Sequence, residues 1–241
     1  MSTASRAGPG DSRNVVCDPA EALGRLVENL AHAARNALQR SQACLELLVL
    51  EVGAQPGALE LVERLQQAQD DLVALLDQVR RYAEVPCPKR APCDLRHAVG
   101  EAWSELEGLR VQYPARLSEQ PTSADLVCRV DRSSIRRAFR EILKNACEAG
   151  AALAQIDVAW SSTQLAEDQA VRVTFRNQGP GLSAEQQRRL FEPFYTTKPR
   201  ASGLGLAIAR KLVEAHGGEI HAKNASSGVE VVVTLPRRGA P

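Results

Sequence analysis

Arg189 to Gly218 reads RLFEPFYTTKPRASGLGLAIARKLVEAHGG: an apolar anchor, a polar segment, a glycine turn and an amphipathic helix. The chain has four Phe and three Tyr, and Phe191, Phe194 and Tyr195 fall within one short stretch, which predicts fixed bases for a loop. Thr196 to Ser202 has no apolar periodicity and predicts a mobile segment. Gly203 and Gly205 bring bare backbone close to whatever binds there. The helix expected from Leu206 to His216 turns its free N–H groups and the positive end of its dipole toward the same point, an arrangement suited to phosphate. Lys198 and Arg200, just upstream, can add charge-assisted contacts. A lone GxG before a helix is an ordinary helix start; the whole ordered run is far more specific.

Outward from this stretch the chain alternates strands and helices. Arg132 to Gly150 is predicted as a long helix with Ile135, Phe139, Ile142, Leu143 and Ala146 on its inner face. It carries Glu141-Ile142-Leu143-Lys144-Asn145-Ala146, in which Glu141 and Asn145 share a face four residues apart. An isolated pair of this kind is usually solvated. Strands are expected at Gln155 to Ser161 and Val171 to Asn177. The second runs into Arg176-Asn177-Gln178-Gly179-Pro180-Gly181-Leu182, where Gly179 and Gly181 let backbone pass close to a ligand, although a strand ending in GPG is also an ordinary turn. A short helix starts at Ser183, and Glu219 to Asn224 and Val229 to Leu235 read as a terminal strand pair. Upstream, a helix from about Leu95 to Glu107, a strand near Leu109 to Tyr113 and another at Leu126 to Asp131 complete a mixed sheet with helices on one face.

In this order the motifs resemble those of sensor histidine kinases, whose ATP lid and last glycine box typically read FEPFxTTK…GxGLGLA…HGG. That family belongs to the ATPase superfamily of DNA gyrase, the mismatch-repair ATPases and the mitochondrial dehydrogenase kinases. The resemblance runs from about Ala22 to Pro236 and implies ATP and Mg²⁺ as cofactors. It implies that Asn145 gives its amide oxygen to Mg²⁺, a hard cation that prefers oxygen, with Lys144 beside it. Glu141 matches a position that is often Asn in bacterial kinases and is the water-activating glutamate in gyrase-like ATPases, so it is implied as catalytic. Asn177 stands where the family has the aspartate that accepts a hydrogen bond from the adenine amino group. An amide oxygen can still accept that bond. Charged hydrogen bonds contribute about 1.5–3 kcal/mol and neutral ones about 0.5–1.5, so weakening of roughly 1 kcal/mol is expected. Gly179, Gly181, Thr197, Lys198, Arg200, Gly203, Leu204, Gly205 and Leu206 are implied as the rest of the nucleotide site.

The N-terminal part is different in kind. Pro19 to Val52 reads as a long helix with Leu23, Leu26, Leu30, Ala34, Leu38, Leu45 and Leu48 on one face. GAQPG at Gly53 to Gly57 stops it. A second helix is expected from Ala58 to about Ala83, with Leu59, Val62, Leu65, Leu72, Leu76 and Val79 inward. Two antiparallel helices alone cannot cover both apolar faces, whereas two hairpins forming a four-helix bundle can, which predicts a homodimer; an intramolecular coiled-coil arm is the alternative. Val85 to Cys93, VPCPKRAPC, is a proline-stiffened linker. The fold class is therefore α+β: a disordered tail over 1–18 with no room for a sensor domain, a dimerisation hairpin over 19–85, a linker over 86–93, and an α/β sandwich of the gyrase and histidine kinase ATPase type over 94–236.

Within the first helix, His32-Ala33-Ala34-Arg35-Asn36-Ala37-Leu38 resembles the family's phosphoacceptor box, H-E-x-[RK]-N-x-L. A lone His on a helix is usually structural or solvated. The resemblance implies that His32 is the nucleophile that takes the γ-phosphoryl group on a ring nitrogen. It implies that Asn36 positions water to hydrolyse a partner's phospho-aspartate. Ala33 departs from the pattern, because the usual acid there orients the imidazole and handles its proton. Such groups contribute about 10²–10⁴-fold. Glu28, one turn before His32, has the spacing of a substitute.

Composition bounds the rest. With 30 Lys and Arg against 29 Asp and Glu, the net charge of +1 gives no reason to expect nucleic acid or an acidic membrane as partner. No stretch approaches the roughly 20 apolar residues of a membrane span, and no signal peptide is visible. Six cysteines, at 17, 44, 87, 93, 128 and 147, show no CxxC pair and no metal spacing, which predicts reduced thiols, several of them buried, and a cytoplasmic protein. The sequence predicts a soluble histidine kinase that phosphorylates His32 from ATP and passes the group to an aspartate on a response regulator receiver domain, its signal coming from a separate sensor protein. The alternative is a kinase impaired by Ala33 and Asn177 that acts as a regulator's phosphatase or scaffold. A protein kinase or plain ATPase using Glu141 as base is a third reading, against which the His32 hairpin argues.

Overall fold

The computed structural model describes residues 19–52, 55–84, 86–149, 154–198 and 201–238. The expected tail with Cys17, and Arg200 of the candidate site, lie outside the described residues.

Helices α1 (Pro19–Val52) and α2 (Pro56–Ala83) form the antiparallel hairpin. Arg35 pairs with Asp77 across it, and Gln69 Nε2 donates to Ser41 Oγ at 2.7 Å. Ala31, Leu45 and Val62 are buried in the seam. The expected inner faces are thus divided. Leu45 and Val62 pack between the two helices, while Leu30 (60% exposed) and Leu65 (51%) stay uncovered together with Leu48 and Leu72. At the far end of α2, Val79 and Tyr82 pack against the core of the following unit.

That unit contains β1 (Ala91–Asp94), α3 (Leu95–Ser104), α4 (Glu107–Gln112), β2 (Ala115–Glu119), β3 (Val127–Val130), α5 (Arg132–Ala149), β4 (Ala154–Leu165), β5 (Asp168–Asn177), α6 (Ala184–Arg189), α7 (Gly205–Glu214), β6 (Glu219–Asn224) and β7 (Val229–Pro236). Its main sheet runs β2-β4-β5-β7-β6. β2 is parallel to β4 and every other neighbour is antiparallel, so the sheet is mixed, as expected. The core lies between this sheet and α3, α5 and α7. Ile135, Phe139, Ile142, Leu143 and Ala146 of α5 are all buried, and Phe139 meets Phe175 of β5 with ring centroids 5.4 Å apart. Each Ile, Leu or Phe among them contributes about 1.5–3 kcal/mol on burial.

Two expectations are corrected. The strand expected at Leu109 to Tyr113 is helix α4, and the edge strand lies just beyond it at β2. Leu109, Val111 and Tyr113 alternate as a strand would. The packed pair, however, is Leu106 and Leu109, three apart as on a helix, and Val111 is left 84% exposed. The linker is also shorter than 86–93, because Ala91 to Asp94 pairs antiparallel with β3. Pro92 is tolerated there because the ribbon has two strands only, leaving one side of β1 free of ladder bonds.

His216 ties these elements together. It is fully buried. Its Nδ1 lies 2.7 Å from the carbonyl of Leu212, and its Nε2 accepts the backbone N–H of Asp131 at 3.0 Å. Those partners require a neutral ring with its proton on Nδ1. Burial pushes the imidazole below its ordinary value. The unfolded chain therefore binds a proton that the fold refuses, and stability contributed by neutral His216 is lost as pH falls below about 6.5. Urea denaturation should show the protein losing stability from pH 7.5 to 5. His216→Gln should be less stable at pH 7.5 and show a shallower loss over the same range; an equal slope in both proteins would refute this account.

Candidate functional site

A cleft of about 460 Å³ opens between α5, the α6–α7 connection and α7. It is lined by Glu141, Lys144, Asn145, Thr197, Lys198, Gly203, Gly205 and Leu206, all named from the sequence, and by Gln78, Tyr113 and Glu148, which were not. Glu141, Asn145 and Glu148 reach it because the opposite face of α5 is locked in the core. Leu204 is fully buried and anchors the glycine turn from below.

The glycines are required by the protein's own atoms. Gly203 has φ +69°, and a Cβ there would lie 2.6 Å from the backbone of Phe194. The Phe194 N–H donates to the Gly203 carbonyl at 3.1 Å, so the two ends of the loop are tied. A Cβ on Gly205 would meet Glu141 Oε2 at 2.9 Å. The Glu141 carboxylate thus sits against the first turn of α7, where the helix dipole favours it, and accepts from Arg140 Nη2 at 2.7 Å. The three aromatics divide the work. Phe191 is buried, whereas Phe194 is 60% exposed, and Tyr195 lies under the Arg189 guanidinium at 4.3 Å. Phe194 therefore does not act as an anchor.

Lys198 extends from the loop to α5. Its Nζ donates to Asn145 Oδ1 and Glu148 Oε2, each at 3.0 Å, with Lys144 Nζ 3.8 Å from the other Glu148 oxygen. An amide oxygen and a carboxylate already hold a cation here. At the loop's other end, Ser202 Oγ donates to Gln78 Oε1 on α2.

Asn177, 7% exposed at the end of β5, lines a recess of about 30 Å³ that shares Asn145, Leu182 and Leu190 with the cleft. Its other walls are apolar, among them Ile142, Phe175 and Val231. Gly179 and Gly181 lie on the strand's continuation and line neither cavity. Asn224 clamps that continuation, accepting from Leu182 N–H at 2.7 Å and donating to the Leu182 carbonyl at 2.9 Å. A Cβ on Gly181 would crowd Asn224 Oδ1 at 3.1 Å, so this glycine makes room for the clamp.

His32 and Asn36 are exposed on α1, with Asn36 Nδ2 3.3 Å from His32 Nδ1. Neither lines the cleft. The hairpin residue that does is Gln78, whose neighbour Asp77 pairs with Arg35, three residues past His32. Ala33 and Glu28 are both exposed. Of the missed residues, Glu148 was legible three positions after Asn145 on the same helix face. Gln78 and Asn224 follow only from tertiary packing.

Residues 130–239 match the family model described as histidine kinase-, DNA gyrase B- and HSP90-like ATPase. The catalytic domain of the histidine kinase ThkA is 28% identical and superposes with TM-score 0.55, covering 62% of this chain and 97% of that one. The sensor histidine kinase ZraS of Klebsiella oxytoca is 27% identical over 222 residues, 90% of this chain and 47% of ZraS. The chain belongs to the histidine kinases. Nitrogen regulation protein NtrY of Azorhizobium caulinodans is 30% identical over 163 residues, 66% of this chain. ThkA crystallised with the response regulator protein TrrA matches 90% of this histidine kinase chain and 62% of that one, with TM-score 0.64 and 23% identity, which bears on the fold, hairpin included. The chain spans only 20% of NtrY and 47% of ZraS. Among the described residues no helix is long and apolar enough to cross a membrane.

Proposed function

We propose that the chain binds ATP in the cleft, phosphorylates His32, and passes the phosphoryl group to an aspartate on a response regulator receiver domain. The observation that carries this reading is the convergence of Glu141, Asn145, Lys198 and the Gly203–Gly205 turn on one cleft that has a hairpin residue, Gln78, in its wall. The apolar recess, with Asn177 at its edge, marks where the adenine ring would enter, although at about 30 Å³ it must widen to take the ring; the phosphates fit the start of α7. The oxygens of Asn145 and Glu148 suit Mg²⁺, as the ammonium of Lys198 between them indicates; when bound, that ion would neutralise phosphate charge. Glu141 is the acceptor in the cleft suited to taking a proton. At His32 one ring nitrogen forms the N–P bond as the bond from the γ-phosphorus to the bridging oxygen breaks and ADP leaves; the proton on the other ring nitrogen passes to water, since Ala33 offers no carboxylate. Asn36, beside the ring, would orient a water to hydrolyse the partner's phospho-aspartate, the phosphatase half of the chemistry. ThkA's occurrence with TrrA supports a receiver domain as partner. A weak kinase acting chiefly as phosphatase or scaffold is the second reading, favoured by Ala33.

Incubation with γ-labelled ATP and magnesium should give acid-labile, alkali-stable label that His32→Gln abolishes and Asn145→Ala strongly reduces, with calorimetry showing weakened metal-dependent nucleotide binding in the latter. Acid-stable label that survives His32→Gln would refute the assignment. Absence of nucleotide binding by the wild type would refute it more broadly.

Ala33→Glu should raise the labelling rate by about 10²–10⁴-fold with ATP affinity nearly unchanged, since a group acting only in the transition state moves rate and not binding. A large loss in Glu28→Gln would assign the proton-accepting role to Glu28 instead. No change in either variant would mean that the chemistry at His32 needs no neighbouring carboxylate.

The exposed leucines of the hairpin predict a dimer through a four-helix bundle. Sedimentation equilibrium should give twice the 26.1 kDa chain mass, and Leu30→Glu with Leu65→Glu should give monomers. A wild-type monomer at micromolar concentration would overturn the bundle.

A further inference from the structure

A second cavity, of about 360 Å³, lies where the last turn of α2 meets α5 and α7, outside the nucleotide cleft. Four guanidiniums line it, from Arg81 on α2 and from Arg136, Arg137 and Arg140 on α5. One lining carboxylate opposes them. Glu105 pairs with Arg136 Nε at 3.1 Å and lies 3.8 Å from Arg140 Nε, while Arg140 Nη2 is turned to Glu141. The Nε and Nη2 atoms of Arg137 are buried and have no hydrogen-bond partner among the described residues. Burial lowers its pKa, and the nearby Arg81 charge adds to that. Glu84 and Glu141 act on Arg137 from further away without bonding those nitrogens. Buried, unpartnered guanidinium N–H groups beside like charges are costly, and an oxyanion satisfies both deficits at once.

We propose that this recess is a binding site for a small phosphate-type polyanion, such as a diphosphate, held between α2 and α5. Planar guanidiniums match phosphate oxygens two at a time. The hydroxyls of Ser133 and Ser134, also in the lining, add donors. Among the described residues Leu212 is the sole apolar side chain in the wall, a lining that suits a small polyanion better than a nucleobase or an apolar protein anchor. The ligand touches both the hairpin and the ATPase unit and favours the arrangement in which they are packed together. The site stands apart from the nucleotide-dependent reading above.

Isothermal titration with inorganic pyrophosphate in EDTA, at low salt, tests it on the full chain. Wild type should bind one pyrophosphate per chain, more weakly as NaCl is raised. Arg137→Gln and Arg81→Gln should each weaken binding at least tenfold, and Lys198→Gln, which removes a cation of the nucleotide cleft, should leave it unchanged. Arg81 is exposed, so its variant tests the site even if Arg137→Gln disturbs folding. Absence of binding at millimolar pyrophosphate, equal affinity in wild type and Arg81→Gln, or loss in Lys198→Gln alone, which would put the anion in the nucleotide cleft, would each overturn the proposal.

Discussion

Asp131 and His216 meet at the base of the ATPase unit, and the geometry of the cleft depends on that meeting. Burial pushes the Asp131 carboxyl upward, but hydrogen bonds from the Ser133 hydroxyl and from the backbone N–H groups of Ser134 and Lys89 outweigh it and hold the pKa at about 2. The same residue's backbone N–H goes to the His216 ring. The start of α5, the end of α7 and the incoming linker are thereby joined through two residues. Arg90 adds a further bond from the linker to the Ala215 carbonyl. With those ends fixed, α7 lies so that its first residue, Gly205, faces Glu141 near the middle of α5. A helix turned by one residue, about 100°, would carry Asn145 out of the cleft and a buried leucine into it. Burial of Phe139, Ile142 and Leu143 is what prevents that turn.

Much of this was legible in the chain because the signals are local. The long helices, the β6–β7 pair and the short helix starting at Ser183 each depend on residues a few positions apart, the last through a capping box that the structure shows between Ser183 and Gln186. The glycine run and the Glu141–Asn145 pair are local as well, and they line one cleft. What was missed is non-local or ambiguous. Helix α4 is short enough that two periodicities fit it, and the packing of Leu106 and Leu109 decides between them. Strand β1 exists because β3 offers it a partner, overriding two prolines nearby. Gln78 enters the site only because the hairpin packs against α7, where Lys211 Nζ donates to the Tyr82 carbonyl. The four arginines of the second cavity were visible as charges, but three sit on one helix and the fourth comes from another unit.

The glycines answer to a constraint that the sequence reading did not name. Gly203 and Gly205 were expected to admit a ligand. Their substitution would collide with Phe194, Tyr195 and Glu141 before any ligand arrived. The loop that folds back on itself at Phe194 is also the loop that lines the cleft at Gly203 and Gly205.

The loop between α6 and α7 is held at two places of unequal strength. Lys198 reaches α5 through two charge-assisted bonds. Such bonds contribute about 1.5–3 kcal/mol each at most, less here because the lysine is a third exposed and partly screened. Ser202 reaches α2 through one neutral hydrogen bond, for which about 0.5–1.5 kcal/mol is typical. A shift of the hairpin relative to the ATPase unit therefore breaks the Gln78 contact first and leaves the loop attached to α5. A cation arriving at Asn145 and Glu148 acts at the other end, because it competes with the Lys198 ammonium for the same two oxygens and repels it. Lys198 and Ser202 thus tie one loop to both α5 and α2, which is why the cleft has walls from the hairpin as well as from the ATPase unit.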